Sequence, residues 1–255
     1  MNITQIIFWI LVLCVIIFLR YLIFSGLYHY FLRIKWREQL GNRIFQHKIK
    51  QGNMMRKEIY RSAFVSLIFA IAGIITIYCW EINLTALYPS PSDRHWIWLL
   101  LGPFLFLAGQ ETYYYWTHRW MHLPKVYKYV HKWHHESIET TAFTAFSFHP
   151  LEAIIQALFL PLSALLIPMQ EFIFLGLLMV MTLSATINHA GVEIFPNSWS
   201  RTPFLRKLIG ATHHDLHHKR ANTNYGLFFT YWDEWMGTEN KKYQDRIKKI
   251  TKNPH

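Results

Sequence analysis

Long uncharged runs alternate with short, strongly basic segments along this chain. Residues 5–19 carry no charge, the apolar pattern resumes after Arg20 over 21–32, and 62–80, 96–110, 153–169 and 172–187 are likewise uncharged. The longer runs approach the roughly 20 residues that a helix needs to cross a bilayer core. The pattern predicts an all-α integral membrane protein with about four transmembrane or re-entrant helices, over 5–32, 62–80, 96–116 and a 151–187 hairpin. Pro89 and Pro91 mark a turn before the third of these. Met169, Gln170 and Glu171 mark the bend of the hairpin, and Pro161 is read as a kink inside its first arm. Gln156 is the only strongly polar residue of 153–169.

Composition agrees with that reading: of 255 residues, 52% are hydrophobic and 17% aromatic. The N-terminus lacks the basic region and small-residue cleavage site of a signal peptide, so the first run is expected to be a retained span. Cys14 and Cys79 both lie inside apolar runs, which excludes a disulfide framework and a thiolate metal site. The net charge of +11 is distributed unevenly. Nine Lys/Arg lie in 33–61, four in 117–150 and eleven in 189–255, leaving only Arg20 and Arg94 elsewhere. With the predicted spans, all three basic segments fall on one side, which the positive-inside rule makes cytoplasmic. The histidine clusters and the C-terminus are then cytoplasmic, and the charge is accounted for without nucleic acid as a partner. Three regions are expected: an N-terminal transmembrane region 1–95, a catalytic domain 96–240 and a basic cytoplasmic tail 241–255.

The candidate chemistry lies in three histidine clusters: His118 and His122; His131, His134 and His135; His214, His217 and His218. At 3.6 residues per turn, i, i+3 and i+4 share a helix face, so each cluster can present several nitrogens together. An H-x-x-H-H triple is expected by chance only about 0.05 times in a chain with this histidine content, and two occur. Imidazole suits zinc, iron, copper and nickel. Eight histidines exceed the capacity of one tetrahedral ion, so two metals sharing them is the economical reading. Such a site could hydrolyse a substrate with a metal-bound water, or activate dioxygen if the metal is iron. A membrane zinc metallohydrolase and a non-enzymatic metal-binding membrane protein are therefore the alternatives to an oxidase. His29, His47, His95 and His255 have no cluster partners and are read as incidental, and Arg20 is read as snorkelling or pairing with a headgroup.

The order of these motifs resembles the fatty acid hydroxylase and sterol desaturase family. The run from Glu111 through Tyr115, Trp116, His118 and Arg119 to His122 is similar to that family's acid followed by Tyr-Trp-x-His-Arg-x-x-His. The likeness continues through His131-Lys-Trp-His134-His135, His149-Pro150-Leu-Glu152, Asn188-His189 and His214-Asp-Leu-His217-His218. It closes with Asn224-Tyr225-Gly226, Phe229-Thr230-Tyr-Trp232-Asp233 and Gly237-Thr238. The N-terminal part resembles the sterol C-5 desaturase branch more loosely. The separate acyl-lipid desaturase family shares the eight-histidine logic but lacks the Asn-Tyr-Gly and Trp-Asp elements.

The resemblance implies a membrane enzyme whose two iron ions, replaceable by zinc on overexpression, use dioxygen and two electrons to hydroxylate or desaturate a lipid. Carried over by position, it makes His118, His122, His131, His134, His135, His189, His214, His217 and His218 metal ligands. His149, His213, Glu111, Asn188 and Tyr115 are expected as further ligands or as residues supporting them. Glu111 stands where the family usually has aspartate, and is expected to accept the distal N–H of a ligand histidine. No haem-binding segment is recognisable, so the electrons are expected from a separate b-type cytochrome, or a ferredoxin, with its reductase.

Overall fold

The computed structural model describes residues 2–45, 52–196, 198–199 and 202–252; His47 and His255 lie outside them. The apolar runs fold as helices. Helix α1 (Ile3–Tyr28) opens on a capping box, in which Asn2 Oδ1 accepts from the Gln5 amide and Gln5 Oε1 from the Asn2 amide, both at 2.9 Å. It continues into a π-helical segment, His29–Lys35. Helix α2 (Gly52–Glu81) returns along it, and α3 (Trp98–Met121) follows the Pro91 turn. Two short helices, α4 (Pro124–Val130) and α5 (Lys132–His135), lead to the hairpin of α6 (Pro150–Leu166) and α7 (Glu171–His189). Pro161 sits within α6 without ending it, and the bend falls at Ile167–Gln170. The chain closes with α8 (Ala211–Arg220), α9 (Tyr231–Trp235) and α10 (Tyr243–Lys252).

Among the described residues, three helical stretches are long and apolar enough to cross a membrane: Ile3–Lys35, Gly52–Glu81 and Glu171–His189. Of the four predicted spans, the other two elements differ in a physical way. Helix α3 is long enough, but its second half carries Gln110, Glu111, His118 and Arg119; α6 is apolar but only 17 residues long. Each packs one face against its neighbours and leaves the other exposed, with Leu100 and Phe104 of α3 and Leu158 and Leu162 of α6 turned outward. Phe106 of α3 meets Phe159 of α6 and Phe174 of α7 edge-on, at 5.2 and 5.8 Å between ring centroids. Helix α1, by contrast, buries only Tyr21 and Ser25 and turns Ile7, Phe8, Leu11, Val15 and other apolar side chains outward. Burying these in hydrocarbon rather than water is what stabilises a helix of that composition.

The two ends of the bundle are tied differently. At one end Leu87–Tyr88 (β1) pairs in parallel with Met169–Gln170 (β2), and Gln170 Nε2 donates to the Pro89 carbonyl at 2.9 Å. A Cβ on Gly102 would stand 2.6 Å from the Pro168 carbonyl, so only glycine lets α3 approach this bend so closely. At the other end Ile44 bridges Val192, the Arg61 guanidinium bonds both the Trp133 carbonyl and Glu136, and every histidine cluster is found. The segments 33–45, 52–61 and 117–150 and the described residues from 189 onward therefore meet at one end, away from Ser90. With Cys14 and Cys79 replaced, cysteines introduced at Ser90 and Lys128 are expected to react with a membrane-impermeant maleimide from opposite faces of a sealed vesicle. Labelling of both from the same face would contradict this arrangement.

Candidate metal centre

Each histidine cluster is positioned by a helix end. His118 and His122 close α3, which stops at Met121 before Pro124 opens α4. His131 lies at the junction of α4 and α5, and His134 and His135 end α5. His189 ends α7. His214, His217 and His218 lie on α8, which follows Gly210 and ends at Ala221 in the left-handed region (φ 55°). Glu193 anchors the start of α8 by accepting from the Thr212 amide at 3.1 Å and its hydroxyl at 2.5 Å.

Nine imidazoles converge from these ends in two groups. His118, His122, His131, His135 and His217 form one; His134, His189, His214 and His218 form the other; within each, the candidate ligand nitrogens all lie within 4.8 Å of one another. Both H-x-x-H-H triples are thus divided. The i and i+4 members of each, 40° apart around a helix, go to one group, and the i+3 member, 60° to their other side, goes to the opposite group. The rings of His135 and His218 stack across the junction at 4.7 Å. All nine except His122 are buried.

Several outward nitrogens face protein oxygens, whereas Nδ1 of His135, His214 and His218 has no hydrogen-bond partner among the described residues. His118 Nδ1 donates to the Tyr225 carbonyl at 2.9 Å, His217 Nδ1 to Thr223 at 2.7 Å and His189 Nδ1 to Ala185 at 2.7 Å. His131 Nδ1 faces Glu152 Oε1 at 2.9 Å. With the proton on Nδ1, the Nε2 atoms of His118, His217 and His189 present lone pairs inward. Yet Nε2 atoms meet Nε2 atoms: His118 and His131 at 3.1 Å, His135 and His217 at 3.0 Å, His189 and His214 at 2.8 Å. Each such contact is either an N–H···N hydrogen bond, with one ring carrying its proton on Nε2, or a pair of lone pairs suited to a shared cation. Imidazole nitrogens sharing an ion at about 2.1 Å stand about 3.0–3.4 Å apart, so the donor set fits two metal ions.

Electrostatics point the same way. Burial is the largest cause lowering the pKa of His131, His134, His135, His214 and His218 well below the ordinary imidazole value, with neighbouring imidazoles adding to it. Burial lowers His217 to about 4. The imidazoles are therefore neutral, as metal ligation requires.

The remaining expected residues stand elsewhere. Glu111 touches no imidazole; its carboxylate accepts from the amides of Leu227, Phe228 and Phe229 at 3.1, 2.6 and 3.2 Å and so fixes the loop after Tyr225. The carboxylate facing an inner histidine is Glu152, one turn into α6. The sequence displays it as the acid of His149-Pro150-Leu-Glu152, but spacing alone assigns it no partner. His149 belongs to neither group: its Nδ1 accepts from the Leu151 amide at 3.2 Å as the cap of α6, and its ring packs on Trp133. His213 is fully buried outside both groups, 3.5 Å from Asp233 and edge-on to Tyr243. Tyr115 contacts the Thr238 hydroxyl at 2.9 Å and stacks on Trp232; Tyr114, its neighbour, packs on His118 at 4.9 Å. Asn188 Nδ2 donates to Leu227 at 2.9 Å. Asp233, to which the sequence reading gave no role, accepts from the amides of Tyr225 and Gly226 and from the Thr238 hydroxyl, so it shapes the turn whose carbonyl orients His118.

Two outcomes follow from this geometry. Glu152→Gln is expected to weaken metal retention about 10- to 100-fold in a chelator competition, whereas Glu111→Gln lowers the melting temperature while the retained metal dissociates at near wild-type rates. The reverse pattern would return Glu111 to the role expected from sequence. Secondly, the folded imidazoles resist protons that the unfolded chain takes up near pH 6.5. Stability is then fully present above that pH and is lost as pH falls below it, because the unfolded state binds more protons there. The melting temperature of the purified protein in detergent should fall steeply between about pH 6.5 and 5; a flat or rising profile would contradict the neutral, buried cluster.

Comparison with known proteins places the chain. The family model described as fatty acid hydroxylase matches residues 103–238. A Delta(7)-sterol 5(6)-desaturase of Aspergillus fumigatus is 30% identical, over 86% of this chain and 71% of its own length. A putative methylsterol monooxygenase of Dictyostelium discoideum is 32% identical, over 80% and 77%. The lathosterol oxidase of Rattus norvegicus is 27% identical, over 76% and 66%. No solved structure matches the chain. The matched region contains all nine converging histidines, and the chain belongs to the fatty acid hydroxylase family as a membrane oxidoreductase that modifies lipids.

Proposed function

We propose that the protein holds two iron ions and uses dioxygen and two electrons to oxidise a C–H bond of a sterol-like or long-chain lipid, by hydroxylation or desaturation. His118, His122, His131, His135 and His217 hold one ion, and His134, His189, His214 and His218 the other. When bound, the metal pair supplies the oxidising power that an unactivated C–H bond requires; the products are an alcohol and one water, or an alkene and two waters. The chain's own part is orientation and exclusion. Glu152 and the carbonyls of Tyr225, Thr223 and Ala185 fix the rings, and Tyr114 walls the centre beside His118.

The observation that carries this reading is a cavity of about 410 Å³ running through the bundle from the histidines toward the opposite end. His189 and His214 line its inner end, Trp80 and Glu171 lie on its wall toward the β1–β2 end, and Phe69, Phe106 and Phe159 are among its apolar lining. That volume is in the range of sites that enclose an apolar ligand. The relatives' names supply the sterol as the first lipid to try. The histidine end is assigned to the cytoplasm by its basic flanks, where a separate b-type cytochrome or ferredoxin, with its reductase, delivers the electrons.

In bilayer nanodiscs with an electron-donor system and a Δ7-sterol, the iron-loaded protein should consume dioxygen in a sterol-dependent way and yield a product lighter by two hydrogens or heavier by one oxygen. The zinc-loaded protein should do neither. Turnover with zinc in the absence of dioxygen would establish a metallohydrolase instead.

A further inference from the structure

Three buried amides interrupt the apolar lining of the cavity; Asn188 adjoins His189 at its histidine end and donates to the Leu227 carbonyl, and the other two lie further along it. Gln110 on α3 and Gln156 on α6 are 2% and 8% exposed, and both line it. Gln110 Oε1 and Gln156 Nε2 have no hydrogen-bond partner among the described residues. Buried amide atoms are rarely left so, because each loses its bond to water on folding and regains nothing. The helix pairing sets the two at a similar level. Tyr113 donates to the Ile155 carbonyl at 2.6 Å, and Phe106 packs on Phe159 at 5.2 Å, so Gln110 and Gln156 occupy the level between these two contacts.

Their height above the histidines follows from helical rise. Gln156 is one turn, about 6 Å, beyond Glu152, which faces His131, and Gln110 lies two turns, about 12 Å, before His118 on α3. The pair therefore sits inside the cavity, within a ring system's length of the metal groups rather than at the far mouth.

An unpaired acceptor and an unpaired donor at a similar level select among lipid polar groups. A carboxylate or ketone can only accept and would set its oxygen against Gln110 Oε1; an ammonium can only donate and would oppose Gln156 Nε2. A hydroxyl does both. Turning both amides over exchanges the two roles and leaves the pair equally suited to a hydroxyl.

We propose that Gln110 and Gln156 bind a hydroxyl carried by the lipid substrate and thereby fix which carbon of it faces the metals. They are specificity-determining residues. The proposal rests on the lipid-oxidation reading of the same cavity, and it adds that the substrate is a lipid alcohol anchored close to the carbon that reacts.

The test is equilibrium binding of tritiated lipids to the purified, metal-loaded protein in detergent, using two matched pairs: cholesterol against its 3-deoxy hydrocarbon, and octadecanol against octadecane. In at least one pair the alcohol should bind about 10- to 100-fold more tightly than its hydrocarbon. The pair showing the preference identifies whether the lipid body is rigid or flexible. Gln110→Met with Gln156→Met should reduce the preference to within about threefold, with metal content unchanged. Equal binding of alcohol and hydrocarbon in both pairs would overturn the proposal while leaving the lipid cavity in place. A preference that survives in the double variant would overturn it as well. Binding of none of the four would overturn it together with the lipid reading. If the double variant does not fold, the wild-type comparison alone decides.

Discussion

Convergence of nine imidazoles, eight of them buried, on two points is the constraint on which the rest of the structure depends. Nine imidazoles are brought to two points at which Nε2 atoms approach one another to about 3 Å, with the protons of several held on the outward side by carbonyls. Burial keeps these groups neutral. A cation at each point would engage these nitrogens as ligands, and the free energy of binding it would become part of the free energy of folding. The protein therefore spends its buried acids on holding backbone and rings rather than on neutralising the centre. Glu111 and Asp233 fasten the turn that offers the Tyr225 carbonyl, Glu193 fastens the start of α8, and Glu152 orients His131.

The bundle places this centre at the end of a cavity whose walls are helices of differing character. Helix α1 buries only Tyr21 and Ser25, whereas α3 and α6 each bury one face that carries polar residues reaching the cavity and the centre, Gln110 and His118 on α3 and Glu152 and Gln156 on α6. Polar side chains at membrane depth are costly unless another helix or a ligand satisfies them.

Much of this was legible in the sequence because it is periodic. The uncharged runs locate α1, α2 and the α6–α7 hairpin, Gln170 stands at the bend, and H-x-x-H-H marks the helices that carry histidine. Tertiary contacts are not periodic, and there the reading of residues ran out. Nothing in the spacing shows that His134 and His217 cross over to the group opposite their neighbours, since that depends on where the second helix lies. Glu111 and Glu152 are both acids near a cluster; which one faces an imidazole is decided by a loop more than a hundred residues downstream of Glu111, whose amides claim it. Helix α3 reads as a span by its apolar first half, and the polar residues of its second half become intelligible only once the neighbouring helices enclose them.

The central claim is the partition of nine imidazoles between two ions, and metal counting on two paired variants tests it most directly. His122→Ala with His135→Ala removes two donors from one group, and His134→Ala with His218→Ala removes two from the other. The account predicts two ions per chain in the unaltered protein and one in each paired variant, with the surviving ion in a different ligand environment by X-ray absorption in the two cases. One ion per chain in the unaltered protein, or the same surviving environment in both variants, would contradict it.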